Sequence, residues 1–315
     1  MVRTGPDGIG RDHRAAANFA FAGAICFVVS SLLYIDAFAV LTTTRSTAPG
    51  GFQGYQQLNT TNLQAIWEGR RSSQGAFLFA ELFGALGWFS LMPPVASMTA
   101  QLGGTTRSAN SIVVSSFNGV AMITLIDITF QAGTISLVDW MSSWDIIADS
   151  SEAHAHDGGF GAIQSLEISF RVSESRTVWL FAMDEILLTV GWLTTAFLVY
   201  TTRGAEQPLS KNFAHLSVCG ALVAFIGFFL HVARYFSWRA LSVAAALTGA
   251  LVYLVLLPAW LVWLGVQLRN RSEAVTYMQS NGVGDVEMAS SPPADGPIGG
   301  VIKADTADPS TNTFA

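Results

Sequence analysis

The chain has 315 residues, of which 51% are hydrophobic and only 12% charged, about half the charged fraction of a typical globular domain. The apolar excess points to lipid rather than water as the solvent, and a net charge of -6 with no basic cluster argues against nucleic acid as a partner. Both cysteines, Cys26 and Cys219, fall inside apolar runs, which excludes an extracellular domain built on disulfides.

In chain order, residues 1–15 carry Arg3, Arg11 and Arg14 and read as a cytoplasmic segment. The apolar run behind them extends for about 21 residues, beyond the ~7–15 of a signal-peptide core, so it reads as a retained first span over 16–41. Loop 42–75 opens on the turn-rich APGGFQGYQQ, contains the glycosylation triplet Asn59-Thr60-Thr61, and continues as LNTTNLQAIWEGRR, which reads as a short surface helix with Trp67 at the interface.

The second and third spans follow at 76–98 and 112–138, with Pro93-Pro94 expected to kink the second by removing helical donors. A second long loop, 139–177, begins with Trp140 and Trp144 and holds SEAHAHDGG. His154 and His156 with Asp157 are the metal candidates there, but two histidines amid glycine and serine fit a flexible polar loop better, so neither metal nor other cofactor is expected. Spans at 178–200, 213–236 and 241–268 complete the set, the last with a kink expected near Pro258. From 272 to 315 the chain is rich in Pro, Gly, Ser and Asp and reads as a disordered tail.

The fold class that results is an all-α integral membrane protein: a six-helix bundle over 16–271 with short inner loops, two longer outer loops and a disordered C-terminal tail. Arginine and lysine are slightly more frequent on the side of the termini, which places both termini in the cytoplasm, in the plasma membrane or an endomembrane if the cell is eukaryotic.

Five acids interrupt the apolar runs: Asp36, Glu81, Asp127, and the adjacent Asp184 and Glu185. Each costs about 2.5–3.5 kcal/mol at a helix centre, so the set is expected to turn away from lipid toward one another, water or a ligand. Counted along antiparallel helices, nearly every ionisable group falls in the outer half, with His231 and Arg234 at the outer end of the fifth span and Asp127 deeper than the other acids. Arg234, one turn beyond His231, is a candidate partner for Asp36 or Glu81. Ser116, Thr124, Asp127, Gln131 and Thr134 recur at helical spacing as a polar stripe on the third span. Ser217, Gly220, Ala224 and Gly227 form a small-residue face on the fifth that delivers His231 to the interior.

The pattern E-x5-G-W occurs at Glu81-Gly87-Trp88 and Glu185-Gly191-Trp192, and Ile35-Asp36 matches Ile126-Asp127, which suggests two duplicated helix pairs. Haem ligation between helices needs histidine on two spans, and a retinal Schiff base needs an intramembrane lysine; the spans supply neither. No nucleophile elbow, phosphate loop or H-E-x-x-H helix is present, so no enzyme activity is assigned.

The functional expectation is an acidic polar cavity that binds or passes a proton, a cation or a cationic small solute. In it Glu81, Asp127 and Glu185 bind the cation, Gln131 lines the polar cavity, Asp184 and Asp36 set the field, and His231 and Arg234 act as internal counter-charges. Two alternatives are weighed beside it: a membrane scaffold held together by the same polar groups, with lipids and unspecified proteins as partners, and a lipid-directed hydrolase using His231 with carboxylates.

Overall fold

The computed structural model describes residues 6–47, 60–102, 108–140, 162–202, 209–235 and 240–280. Among these every residue is helical except Leu102, Thr202, Leu209 and Ser210. The helices are α1 (Pro6–Thr47), α2 (Thr60–Gln101), α3 (Ser108–Trp140), α4 (Ala162–Thr201), α5 (Lys211–Tyr235), α6 (Ala240–Ala250) and α7 (Leu257–Ser280), with a π-helical turn at Leu251–Leu256 joining the last two.

Six helical stretches are long and apolar enough to cross a membrane: Asp12–Ala37, Ser72–Gln101, Ser108–Phe130, Trp179–Thr201, Lys211–Ala233 and Ala244–Val275. Large apolar side chains, among them Ile25, Phe79, Met122, Phe197 and Leu247, face outward, the reverse of the pattern of a helix bundle built for water.

The helices outrun the expected spans. α1 begins at Pro6, within the expected N-terminal segment, and α7 continues to Ser280, so the first part of the expected disordered tail is helix. LNTTNLQAIWEGRR is not a separate surface helix; from Thr60 onward it is the beginning of α2. Much of the expected second outer loop is likewise helical, since α4 starts at Ala162, about 25 Å ahead of its apolar stretch. These extensions mix charged and apolar residues, as with Ile163, Leu166 and Phe170 among Glu167, Arg171 and Glu174, so no uninterrupted apolar run marks them as parts of the spanning helices. Asn59, His154, His156, Asp157 and the chain beyond Ser280 lie outside the described residues.

The spans form a ring in chain order. α1 packs on α2, α2 on α3, α3 on α4, α4 on α5 and α5 on α6, while α7 and the π-helical turn return to α1 and close the circle. Side-chain hydroxyls tie neighbours to one another: Ser30 Oγ donates to the Ala80 carbonyl at 2.8 Å, and the Trp260 indole donates to Ser217 Oγ at 2.9 Å. All members of the small-residue face expected on the fifth span are buried. Gly220 is where it matters most, because a Cβ there would lie 2.7 Å from Cε3 of the Trp192 indole.

The π-helical turn has a local cause. Pro258 has no N–H to give to the carbonyl one turn earlier, and the preceding residue, Leu257, donates to the carbonyl of Val252, five residues back instead of four. α2, in contrast, continues through Pro93 and Pro94.

Candidate functional site

Each of the six spans sends a polar side chain to one level of the ring interior. α1 provides Tyr34, α2 Glu81, α3 Thr124 and Asp127, α4 Asp184 and Glu185, α5 His231, and the π-helical turn Tyr253. The carboxylates are buried: Glu81 and Asp184 are each 4% exposed, Asp127 8% and Glu185 0%.

Their contacts follow from helix geometry. Consecutive residues on a helix diverge by about 100°, so Asp184 and Glu185 address different neighbours. Asp184 Oδ2 accepts a hydrogen bond from Thr124 Oγ1 of α3 at 3.0 Å. Glu185 faces α5, where its Oε1 lies 3.5 Å from His231 Nε2. On the far side of the ring, Glu81 accepts a hydrogen bond from the Tyr34 hydroxyl. Asp127 stands between these groups and acts electrostatically on Glu81, Asp184 and Tyr34; Tyr253 in turn feels both Asp184 and Glu185. Oδ1 of Asp184, both carboxylate oxygens of Glu185 and the Tyr253 hydroxyl are buried without a hydrogen-bond partner.

One expected member is absent from this group. Asp36 is exposed on the flank of α1. Two residues along a helix correspond to about 200° of rotation, so the turn that brings Tyr34 to Glu81 carries Asp36 away from the interior. Gln131 and Arg234 lie on α3 and α5 by their backbone, and their side chains fall outside those described.

Two participants, Tyr34 and Tyr253, were not among the expected residues, although a signal for them exists. Seven residues from Tyr34, Glu81, Thr124, Glu185 and Tyr253 stand Phe27, Trp88, Phe117, Trp192 and Trp260. Seven residues are two helical turns, about 10 Å, so the polar level rests on a level of buried rings. Within that second level Trp260 stacks on Phe117 at a centroid distance of 5.3 Å, and Phe27 meets Trp88 edge-on at 5.0 Å. At the opposite end of the bundle His13 Nδ1 lies 2.8 Å from Ser97 Oγ, and Arg271 reaches Gln101 at 3.5 Å.

The E-x5-G-W pair has matched surroundings, since Gly87 packs on the Phe27 ring of the preceding helix as Gly191 does on Phe117. The Ile-Asp match does not extend this likeness, because Asp127 is buried and Asp36 is not. Among the described residues no three His, Cys, Asp or Glu groups converge to hold a metal ion. The site therefore has charge and hydrogen-bonding capacity distributed around a ring, without the geometry of a ligand cage.

Neither protein-family models, nor curated proteins, nor solved structures match this chain. Its chemistry has to be read from its own residues.

A buried hydroxyl without a partner costs about 1–3 kcal/mol. Tyr253→Phe is therefore expected to raise the stability of the purified protein by about 1 kcal/mol in a denaturant titration. A loss of stability would mean that the hydroxyl has a hydrogen-bond partner in the folded protein.

Proposed function

We propose that the chain crosses a membrane six times, with both termini in the cytoplasm, and that its acidic level binds and passes a proton, a cation or a cationic small solute. One observation carries this reading: every span contributes to a single buried level whose carboxylates exceed its described counter-charges. A scaffold has no need to bury groups that each oppose insertion, whereas a cargo of positive charge offsets that cost when it binds. The aromatic level two turns away supplies the second element of a carrier, a dry barrier between the acidic level and the far end.

The arginine bias places the acidic level in the outer half of the bundle, open first to the extracellular or lumenal side. The six apolar helices are compatible with this arrangement.

The test is flux in liposomes carrying the purified protein, with proton, sodium, potassium and tetramethylammonium gradients applied in turn. Glu81→Gln, Asp127→Asn and Asp184→Asn are expected to lower flux about tenfold or more, the equivalent of losing roughly 1.4 kcal/mol of cation binding. Their size-exclusion profiles should match wild type. A second reading, a structural membrane protein, draws on the interhelix hydrogen bonds of Ser30, Thr189 and Trp260. It requires the opposite result: no flux in wild type, and loss of folded protein on neutralising the acids.

A further inference from the structure

Asp184 and Glu185 are neighbours in sequence with unlike surroundings. Asp184 shares the ring interior with Thr124 and the electrostatic influence of Asp127. Glu185, at the same level, is turned toward α5 and seated in a niche that exists only because residue 227 is glycine: a Cβ there would come within 3 Å of the carboxyl group. One turn along α5, His231 presents Nε2 to that carboxyl at 3.5 Å. The imidazole is held in plane by Phe181, one turn before Glu185 on α4, stacked at a centroid distance of 5.8 Å with 13° between the rings. Both carboxylate oxygens of Glu185 are wholly buried and make no hydrogen bond.

We infer that Glu185 and His231 form a proton site separate from a cation site at Asp184, with Asp127 and Glu81 beyond it, and that the two sites exchange occupancy, so the protein trades protons for cations.

A carboxyl and an imidazole in apolar surroundings are neutral as a pair when they hold one proton between them, whichever of the two carries it. With a second proton the pair is cationic, and with none it is anionic. Among the described residues, Asp184 on its own helix and the Tyr253 hydroxyl from the π-helical turn interact electrostatically with Glu185, and Asp127 on α3 acts in turn on Asp184. A cation arriving at Asp184 adds positive charge beside the pair and drives its proton out to water, leaving the Glu185 carboxylate ionised. When the cation leaves, the pair takes one proton back, and one positive charge has been exchanged for one. The effect is reciprocal by linkage, so acidification expels the cation.

The inference rests on the transport reading, and its test separates the two. Liposomes carrying the full chain are loaded with a pH-sensitive dye, and protons moved per cation are measured for sodium, potassium and tetramethylammonium. In wild type the ratio is expected to be constant for the transported cation. In Glu185→Gln and His231→Gln it is expected to fall at least tenfold, while in Asp184→Asn and Asp127→Asn cation and proton movement decline together at a preserved ratio. Gly227→Ala keeps every titratable group and displaces only the Glu185 carboxyl, so a lowered ratio there supports the pair even where His231→Gln fails to fold. An unchanged ratio in Glu185→Gln and Gly227→Ala overturns the proton site and leaves the acidic level as a cation site. Wild type that moves neither cation nor proton overturns the transport reading, and this inference with it.

Discussion

Gly220→Leu is expected to yield little folded protein, and what does fold should unfold at a much lower temperature than wild type. Even the first carbon of a side chain at this position falls 2.7–3.0 Å from three atoms of the Trp192 ring. The indole cannot yield, since it is completely buried and continuous with the packed core. Adding atoms to a filled core costs about 1–3 kcal/mol in ordinary cases, and leucine brings three carbons beyond the one that already collides. The damage reaches the site as well, because close approach of α5 to α4 is what brings His231 to Glu185. Gly249, beside which a Cβ would meet nothing within 4 Å, is the control: the same substitution there should leave the melting temperature close to wild type. Equal stability of both variants, read from melting curves of purified protein, would contradict the packing argument.

Much of this arrangement is legible in the sequence, for physical reasons that differ from residue to residue. The six long helices are visible because each holds an apolar stretch of about the 20 residues that a lipid crossing demands. The acids on α2, α3 and α4 stand out because each opposes insertion, so each must have a place in the interior. The small-residue face of α5 is visible because close packing between membrane helices is built from small side chains.

Asp36 obeys the same cost rule, yet it stays outside the cluster. Near the end of a span the penalty shrinks, and rotation of α1 is decided by Tyr34 and Phe27. Tyrosine in an apolar run attracts no notice by composition; only its two-turn spacing to a buried ring marks Tyr34 and Tyr253 as members of a level. The continuations of α2 and α4 interleave charged residues with apolar ones, so the search for about 20 apolar residues in succession stops short of them. Pro258 announces a break in the sixth span, but whether a helix answers proline with a kink or with a wider turn depends on which carbonyls its neighbours satisfy.

The wider turn leads to the last expected result. On the proposed transport function, deleting Val255 from the π-helical turn should leave the bundle folded and abolish flux, whereas deleting Val266 from α7 should abolish folding. A π-helical turn accommodates one residue more than an α-helical path between the same ends. Removing one residue there lets the N–H groups other than that of Pro258, which has none, return to four-residue hydrogen bonds, and leaves the faces of α6 and α7 oriented as before. Val255 is itself exposed, so its own contacts do not enter the comparison.

What changes is the local advance of Tyr253, which the wide turn presents to Asp184 and Glu185. Within a regular helix, loss of one residue rotates everything beyond it by about 100°. At Val266, also exposed, that rotation takes the buried Leu268 off the core and breaks the packing of α7 on α1. Circular dichroism melts and liposome flux distinguish the two deletions. If the Val255 deletion transports normally, Tyr253 has no part in the site; if it fails to fold, the turn holds the bundle together rather than shaping the acidic level.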